Sequence, residues 1–242
     1  LHDALPILYI PTRGVARIGL FIDILCAAAN GHRHTTRISY LMEAFNHSLF
    51  LSINATPDSP GWLLALATFI AKDLIAIVPL LIVALWLWGP RDQVKSQRVL
   101  VLKTGMALIY ALAISWCVGQ LFPHPRPFAI GLGYQFLHHA PDDSYPSDHG
   151  TTIFTFALAF IFWHRLWSGV ILMALGTAIA WSRVYLGVHW PMDMLGGFLV
   201  GLLGCLASHL AWQGYGARML ATFNAAYRAL FALPIRKGWI QD

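Results

Sequence analysis

The sequence predicts an all-α integral membrane protein, with about five transmembrane helices preceded by a short N-terminal interfacial helix. Three observations carry that prediction. Of the 242 residues, 57% are hydrophobic and only 11% are charged, whereas a soluble domain carries about 25% charged residues. The apolar residues are gathered in runs of about the 20 residues needed to cross the hydrocarbon core. The basic residues stand at the ends of those runs, as topology determinants do. The net charge of +5 therefore gives no case for nucleic acid as a partner, which would need a basic patch interleaved with aromatic residues. A soluble protein with a large helical core is the weaker alternative.

Residues 1–41 fit this pattern poorly. Their apolar stretch at 18–29 is interrupted by Asp23 and is short for a span. They read as an upstream extension or a mis-called reading frame, with Met42 the expected start and 42–242 a single membrane domain. An additional anchor or signal-like segment is the competing reading. Residues 43–53 suit a short interfacial helix with Phe45, Leu49 and Phe50 on one face. The run Asn54-Ala55-Thr56-Pro57-Asp58-Ser59-Pro60 is a turn.

Five spans follow, at about residues 62–88, 100–122, 151–167, 169–186 and 194–212. Lys72 and Asp73 fall inside the first. The preferred reading starts that span near Leu74 and leaves both charges at the interface; a place inside the bundle is the alternative. Arg91, Lys95, Arg98 and Lys103 lie between the first and second spans, Arg165 between the third and fourth, and Arg218, Arg228, Arg236 and Lys237 after the fifth. These segments should be cytoplasmic. The segments 123–150 and 187–193 are then outside. Cys26, Cys117 and Cys205 form no CxxC pair and no metal-ligand spacing, so no disulfide framework is expected.

The two outer segments hold the polar clusters. Tyr145-Pro146-Ser147-Asp148-His149-Gly150 sits where an apolar run begins, a place where a helix N-terminus can hold a phosphate. Pro125-Arg126-Pro127 lies upstream; Ser182-Arg183, His189 and Asp193 lie downstream. Cleaving a phosphoester needs a nucleophile, an acid for the leaving oxygen and positive groups for the phosphoryl oxygens. Pro191 suits the first turn of a helix, which puts His189 just before that helix and Asp193 in its first turn. A carboxylate there can fix the imidazole tautomer and leave the other nitrogen free to attack phosphorus. Taken alone, the pair reads more readily as an interfacial His beside a helix cap. His149 can protonate a leaving oxygen. Arg126 and Arg183 can each grip a phosphate with two donors, and Ser147 with the amides around Gly150 can add more.

The combination Arg126-Pro127, Pro146-Ser147-Asp148-His149 and Ser182-Arg183-x5-His189-x3-Asp193 resembles the type 2 phosphatidic acid phosphatase superfamily. Its pattern is Lys-x6-Arg-Pro, Pro-Ser-Gly-His and Ser-Arg-x5-His-x3-Asp. The third element matches throughout, the second has Asp148 for Gly, and Gly119 stands at the Lys position. Beyond the motifs, the stretches Ile70-Ala71-Lys72-Asp73-Leu74, Leu121-Phe122-Pro123-His124, Phe136-Leu137-His138-His139-Ala140 and Leu233-Pro234-Ile235-Arg236-Lys237-Gly238-Trp239 are similar to bacterial undecaprenyl-diphosphate phosphatases of the bacitracin-resistance type. The resemblance implies an acid phosphatase/vanadium haloperoxidase-like helical bundle and a lipid-phosphatase domain over 42–242. It implies hydrolysis of an isoprenoid diphosphate lipid without a metal or other cofactor, through a phosphohistidine at His189. Asp193 would orient His189, and His149 would protonate the leaving group and then activate water. Arg126, Arg183, Ser147 and Gly150 would hold the phosphate, with Pro127, Ser182 and His124 as further candidates.

His138, His139, Asp142 and Asp143 offer a divalent-cation reading, but no zinc spacing is met. Three other functions compete: a broader lipid phosphatase acting on phosphatidylglycerol phosphate or phosphatidate, a lipid-to-lipid phosphotransferase, and a small transporter. The last would need polar residues at the membrane midplane, whereas here they gather at one edge.

Overall fold

The computed structural model describes residues 34–88 and 91–241, all helix and loop without a strand among them. The expectations placed on residues 1–33, including the apolar stretch 18–29, lie outside the described residues. Two compact units are distinguished, 1–45 and 46–242. Of the first, residues 34–45 are described and are helical. The second carries everything that follows.

The helices are α1 (His34–Ile53), α2 (Gly61–Lys72), α3 (Ile77–Leu87), α4 (Val94–Leu121), α5 (Asp148–Trp163), α6 (Leu166–Tyr185), α7 (Pro191–Leu230) and α8 (Ala232–Arg236). Among the described residues, four stretches are long and apolar enough to cross a membrane: Gly61–Leu87, Val94–Leu121, Leu166–Tyr185 and Pro191–Leu230. The fifth expected span is α5, whose 16 residues reach only about 24 Å. Ten of them are buried, and α4, α6 and α7 pack around it. Its buried run 156–160, with Ile153 and Phe154, places buried apolar residues around the whole circumference of α5, the pattern of a helix enclosed by others.

The first span corrects the sequence reading. It does not start at Leu74: apolar helix lies on both sides of Lys72 and Asp73, and the ladder breaks between them and Ile77 through a 3-10 turn at Leu74–Ala76. Pro79 has no N–H to give the Ile75 carbonyl, and its ring crowds that carbonyl, so a regular helix cannot run through this point. Both charged side chains are exposed at the break. The interfacial helix is also longer than expected, beginning at His34 rather than near residue 43. At the other end, α7 continues far past the expected limit of 212, to 40 residues. Gly214 and Gly216 lie within it, and the Trp212 ring fills the space beside Gly216.

Small residues on α7 decide how closely the bundle closes. A Cβ on Gly197 would stand 2.7 Å from Thr151 N and 2.9 Å from Gly150 C, and one on Gly201 would stand 2.9 Å from Thr155 Oγ1. The backbones of α5 and α7 therefore meet directly, as small-x-x-x-small faces allow. This contact brings the N-terminus of α5 against the N-terminus of α7. The C-terminal ends of α4 and α6 lead into the loops at that same end of the bundle.

Candidate active site

His189 is anchored by the residues around it. Gly187 takes a left-handed φ of 79° that ends α6, and a Cβ there would meet Tyr134 O at 2.0 Å. Trp190 is fully buried, stacks on His47 at 4.6 Å between ring centroids, and donates from Nε1 to Pro125 O at 2.8 Å. Asn46 caps the start of α7, its Oδ1 accepting from Met192 N at 3.1 Å. His189 is held between these fixed points, with 2% exposure.

Asp193 Oδ2 accepts from the backbone N–H of Trp190 at 2.8 Å and lies 3.1 Å from His189 Nδ1. The carboxylate therefore caps the helix and faces the imidazole at once. As an acceptor it places the proton on Nδ1 and leaves the lone pair on Nε2. Around Nε2 stand Arg126 Nη1 at 3.0 Å, Ser147 Oγ at 3.4 Å and Arg183 Nη2 at 3.5 Å. Burial pushes the His189 pKa down to about 4, against the pull of Asp193 and with help from Arg183 and Arg126. The ring is thus neutral at physiological pH, as an attacking nitrogen requires.

Both guanidiniums are held by backbone. Arg126 donates from Nη1 to Val188 O at 2.8 Å, from Nε to Asp142 Oδ1 at 2.7 Å and from Nη2 to Asp143 O at 3.3 Å. Burial raises the Asp142 pKa, but the hydrogen bond and charge of Arg126 outweigh it and hold the carboxyl below its usual value. Burial lowers the neighbouring His139, and the charges of Arg126 and Arg183 add to that effect. Arg183 reaches Ala71 O at 3.4 Å, one of the last carbonyls of α2, where the helix dipole favours a cation. The break after Lys72 is what exposes that carbonyl. The Arg183 Nε is buried without a hydrogen-bond partner.

Ser147 is the N-cap of α5: its Oγ accepts from Gly150 N at 3.3 Å while facing His189 Nε2. Its own N–H donates to Asp193 O at 3.2 Å, tying the two helix starts together. His149 is half-buried in the first turn of α5, within the electrostatic reach of Arg183, His189, His139 and Arg126. It lines a cleft of about 520 Å³ whose walls include Ile75, Leu112, Trp116 and Gly119, with Asp143 and Asp148 at its polar side. Gly119, where the motif would have Lys, faces Tyr145 O.

The structure thus gathers Arg126, Ser147, Arg183, His189 and Asp193 in direct contact and sets His149 and Gly150 beside them. Pro127 opens a 3-10 turn at Pro127–Ile130, Ser182 donates to Ile179 O in its own helix, and the His124 ring lies edge-on to Trp190. Ser144, absent from the motif reading, is fully buried and bonded to Asp193. No spacing rule marks it, since its partner is 49 residues away in sequence. Of the four residues considered for a cation, Asp142 is engaged by Arg126 and lies 3.6 Å from His139. Among the described residues no three His, Cys, Asp or Glu side chains converge as a ligand group.

The profile of the PAP2 superfamily matches residues 99–217. A protein of Escherichia coli K12, YbjG, provisionally named an undecaprenyl-diphosphatase, is 60% identical over 202 residues, covering 84% of this chain and all of that one. BcrC of Bacillus subtilis 168, named an undecaprenyl-diphosphatase, is 30% identical over 65% of this chain and 79% of its own. The crystal structure of Aquifex aeolicus LpxE superposes with a TM-score of 0.55 at 26% identity, over 68% of this chain and 94% of that one.

Proposed function

Because the chain belongs to the PAP2 superfamily, we propose that it is an undecaprenyl-diphosphate phosphatase of the bacterial inner membrane with its site at the periplasmic face. The observation that carries the reading is the surroundings of His189. One ring nitrogen is turned to a carboxylate, and the other is met by two guanidiniums and a serine hydroxyl. The names of the relatives supply the substrate.

In this reading the lipid diphosphate places its terminal phosphorus against His189 Nε2. Arg126, Arg183, Ser147 and the amides at the start of α5 take the phosphoryl oxygens as charge builds on them. Nε2 forms a bond to phosphorus as the bond to the bridging oxygen breaks. The negative diphosphate beside His149 raises its affinity for a proton, so His149 enters the step protonated, gives that proton to the bridging oxygen, and undecaprenyl phosphate leaves. His149 then takes a proton from water, whose oxygen attacks the phosphohistidine and releases inorganic phosphate and free His189. The apolar wall of the cleft beside His149 suits the isoprenoid chain. Returning the carrier to its monophosphate form would recycle it for cell-wall synthesis and confer bacitracin resistance.

The test is an assay in detergent with EDTA, offering undecaprenyl diphosphate, phosphatidylglycerol phosphate and phosphatidate side by side. The reading expects a clear preference for the diphosphate and a loss of about a thousandfold or more in His189→Ala. Equal rates on all three lipids would remove the substrate, and an active His189→Ala would remove the nucleophile.

A further inference from the structure

The loop that grips Arg126 continues into the pair that would do the chemistry. Asp142 and Asp143 bond Arg126, one through its carboxylate and one through its carbonyl. The next residue, Ser144, is fully buried. Its hydroxyl donates to Asp193 Oδ2 and lies 3.3 Å from His189 Nδ1, while its N–H donates to His124 O at 2.8 Å. A buried hydroxyl usually finds a nearby carbonyl of its own helix, as Thr155 and Ser182 do here. Ser144 gives its proton to a distant carboxylate instead.

We propose that Ser144 is a positioning residue for the reaction, holding the Asp193 carboxylate in the orientation that receives the Nδ1 proton of His189 and so keeping Nε2 the attacking nitrogen. The inference rests on His189 being the nucleophile, as proposed above. Asp193 Oδ2 faces three donors: the Trp190 amide, the Ser144 hydroxyl and His189 Nδ1. The Trp190 amide belongs to the helix cap and would be present whatever His189 did. Ser144 serves no cap. When Nε2 takes the phosphoryl group the ring becomes cationic, and its bond to Asp193 strengthens. A carboxylate already held in place has nothing to reorganise at that moment.

The hydroxyl also sets the resting charge. With Ser144 sharing the oxygen, Asp193 pulls less strongly on Nδ1–H. Without it, Asp193 would stabilise the imidazolium more, raise the His189 pKa and withdraw the lone pair at low pH. A serine that only filled space would have no such effect.

The experiment compares Ser144→Ala, Ser144→Thr and His189→Ala on undecaprenyl diphosphate across pH. The inference expects kcat in Ser144→Ala to fall about tenfold to a hundredfold with KM unchanged. The acid limb of kcat/KM should move up by about one pH unit, and Ser144→Thr, which keeps the hydroxyl, should restore both. A dead His189→Ala beside a Ser144→Ala of wild-type rate and acid limb overturns the Ser144 inference alone. An active His189→Ala overturns the nucleophile and this inference with it. A slow Ser144→Ala with an unmoved acid limb shows a structural role and also overturns it. Should Ser144→Ala not fold, Ser144→Cys, a weak donor of similar size, gives the same reading: a raised limb supports the proposal and an unmoved one ends it.

Discussion

His189 has to be neutral to attack and cationic once phosphorylated, and its surroundings pull in both directions. Burial and two guanidiniums hold its pKa down to about 4, so the lone pair survives well below the value of a free imidazole. The acid limb of kcat/KM set by this group should therefore lie below about pH 5 rather than near 6.5; a pH–rate profile checks it. Arg126 is tied to Val188 O, Asp142 and Asp143 O through all three of its nitrogens. A lysine cannot span that set, so Arg126→Lys should lower kcat/KM about a hundredfold. Asp142→Asn should cost only a few-fold, since that carboxylate is 60% exposed and well screened. The motif residues were legible because their spacing is local, five and three residues within one turn-helix unit. Ser144, the carbonyl of Val188 and that of Ala71 were not: each touches the site only after distant segments have packed, and nothing in their own neighbourhood announces it.

The elements bring these side chains together through two helix starts and one helix end. The N-termini of α5 and α7 meet because Gly197 lets their backbones touch. Gly197→Leu would press a side chain into Thr151 N and Gly150 C, which are backbone and cannot give way cheaply. Activity should fall by about tenfold or more as Ser147 moves from His189, with about 1–3 kcal/mol lost in stability; activity and thermal unfolding in detergent read the two effects separately. The C-terminus of α2 supports Arg183 only because the helix stops at Lys72. Helix existence was readable from the apolar runs, but helix ends were not. Lys72-Asp73 suggested a boundary of the span, whereas Pro79 makes it a break within one. The length of α7 was hidden because glycine normally weakens a helix, and the ring of Trp212 filling the space beside Gly216 cannot be read from composition.

At the scale of the whole molecule, the polar cluster sits at one end of the bundle and the basic segments lead from the other. Arg98, near the start of α4, stacks 4.5 Å from the Tyr227 ring and donates to Asn224 Oδ1 at 3.0 Å, docking the far end of α7. With 40 residues, α7 measures about 60 Å against a hydrocarbon core of about 30 Å. Topology should follow this polarity. In a background with Cys26, Cys117 and Cys205 replaced, a cysteine introduced as His138→Cys should react with an impermeant maleimide on intact cells. One introduced as Arg218→Cys should react only after permeabilisation. Labelling of both from the same side would contradict the placement. The stereochemical course at the terminal phosphorus tests most directly whether His189 Nε2 takes the phosphoryl group before water does. With a substrate chiral at that phosphorus, two successive in-line displacements must give net retention, which is the result predicted here. Net inversion would mean that water attacks directly, and the account would be wrong at its centre.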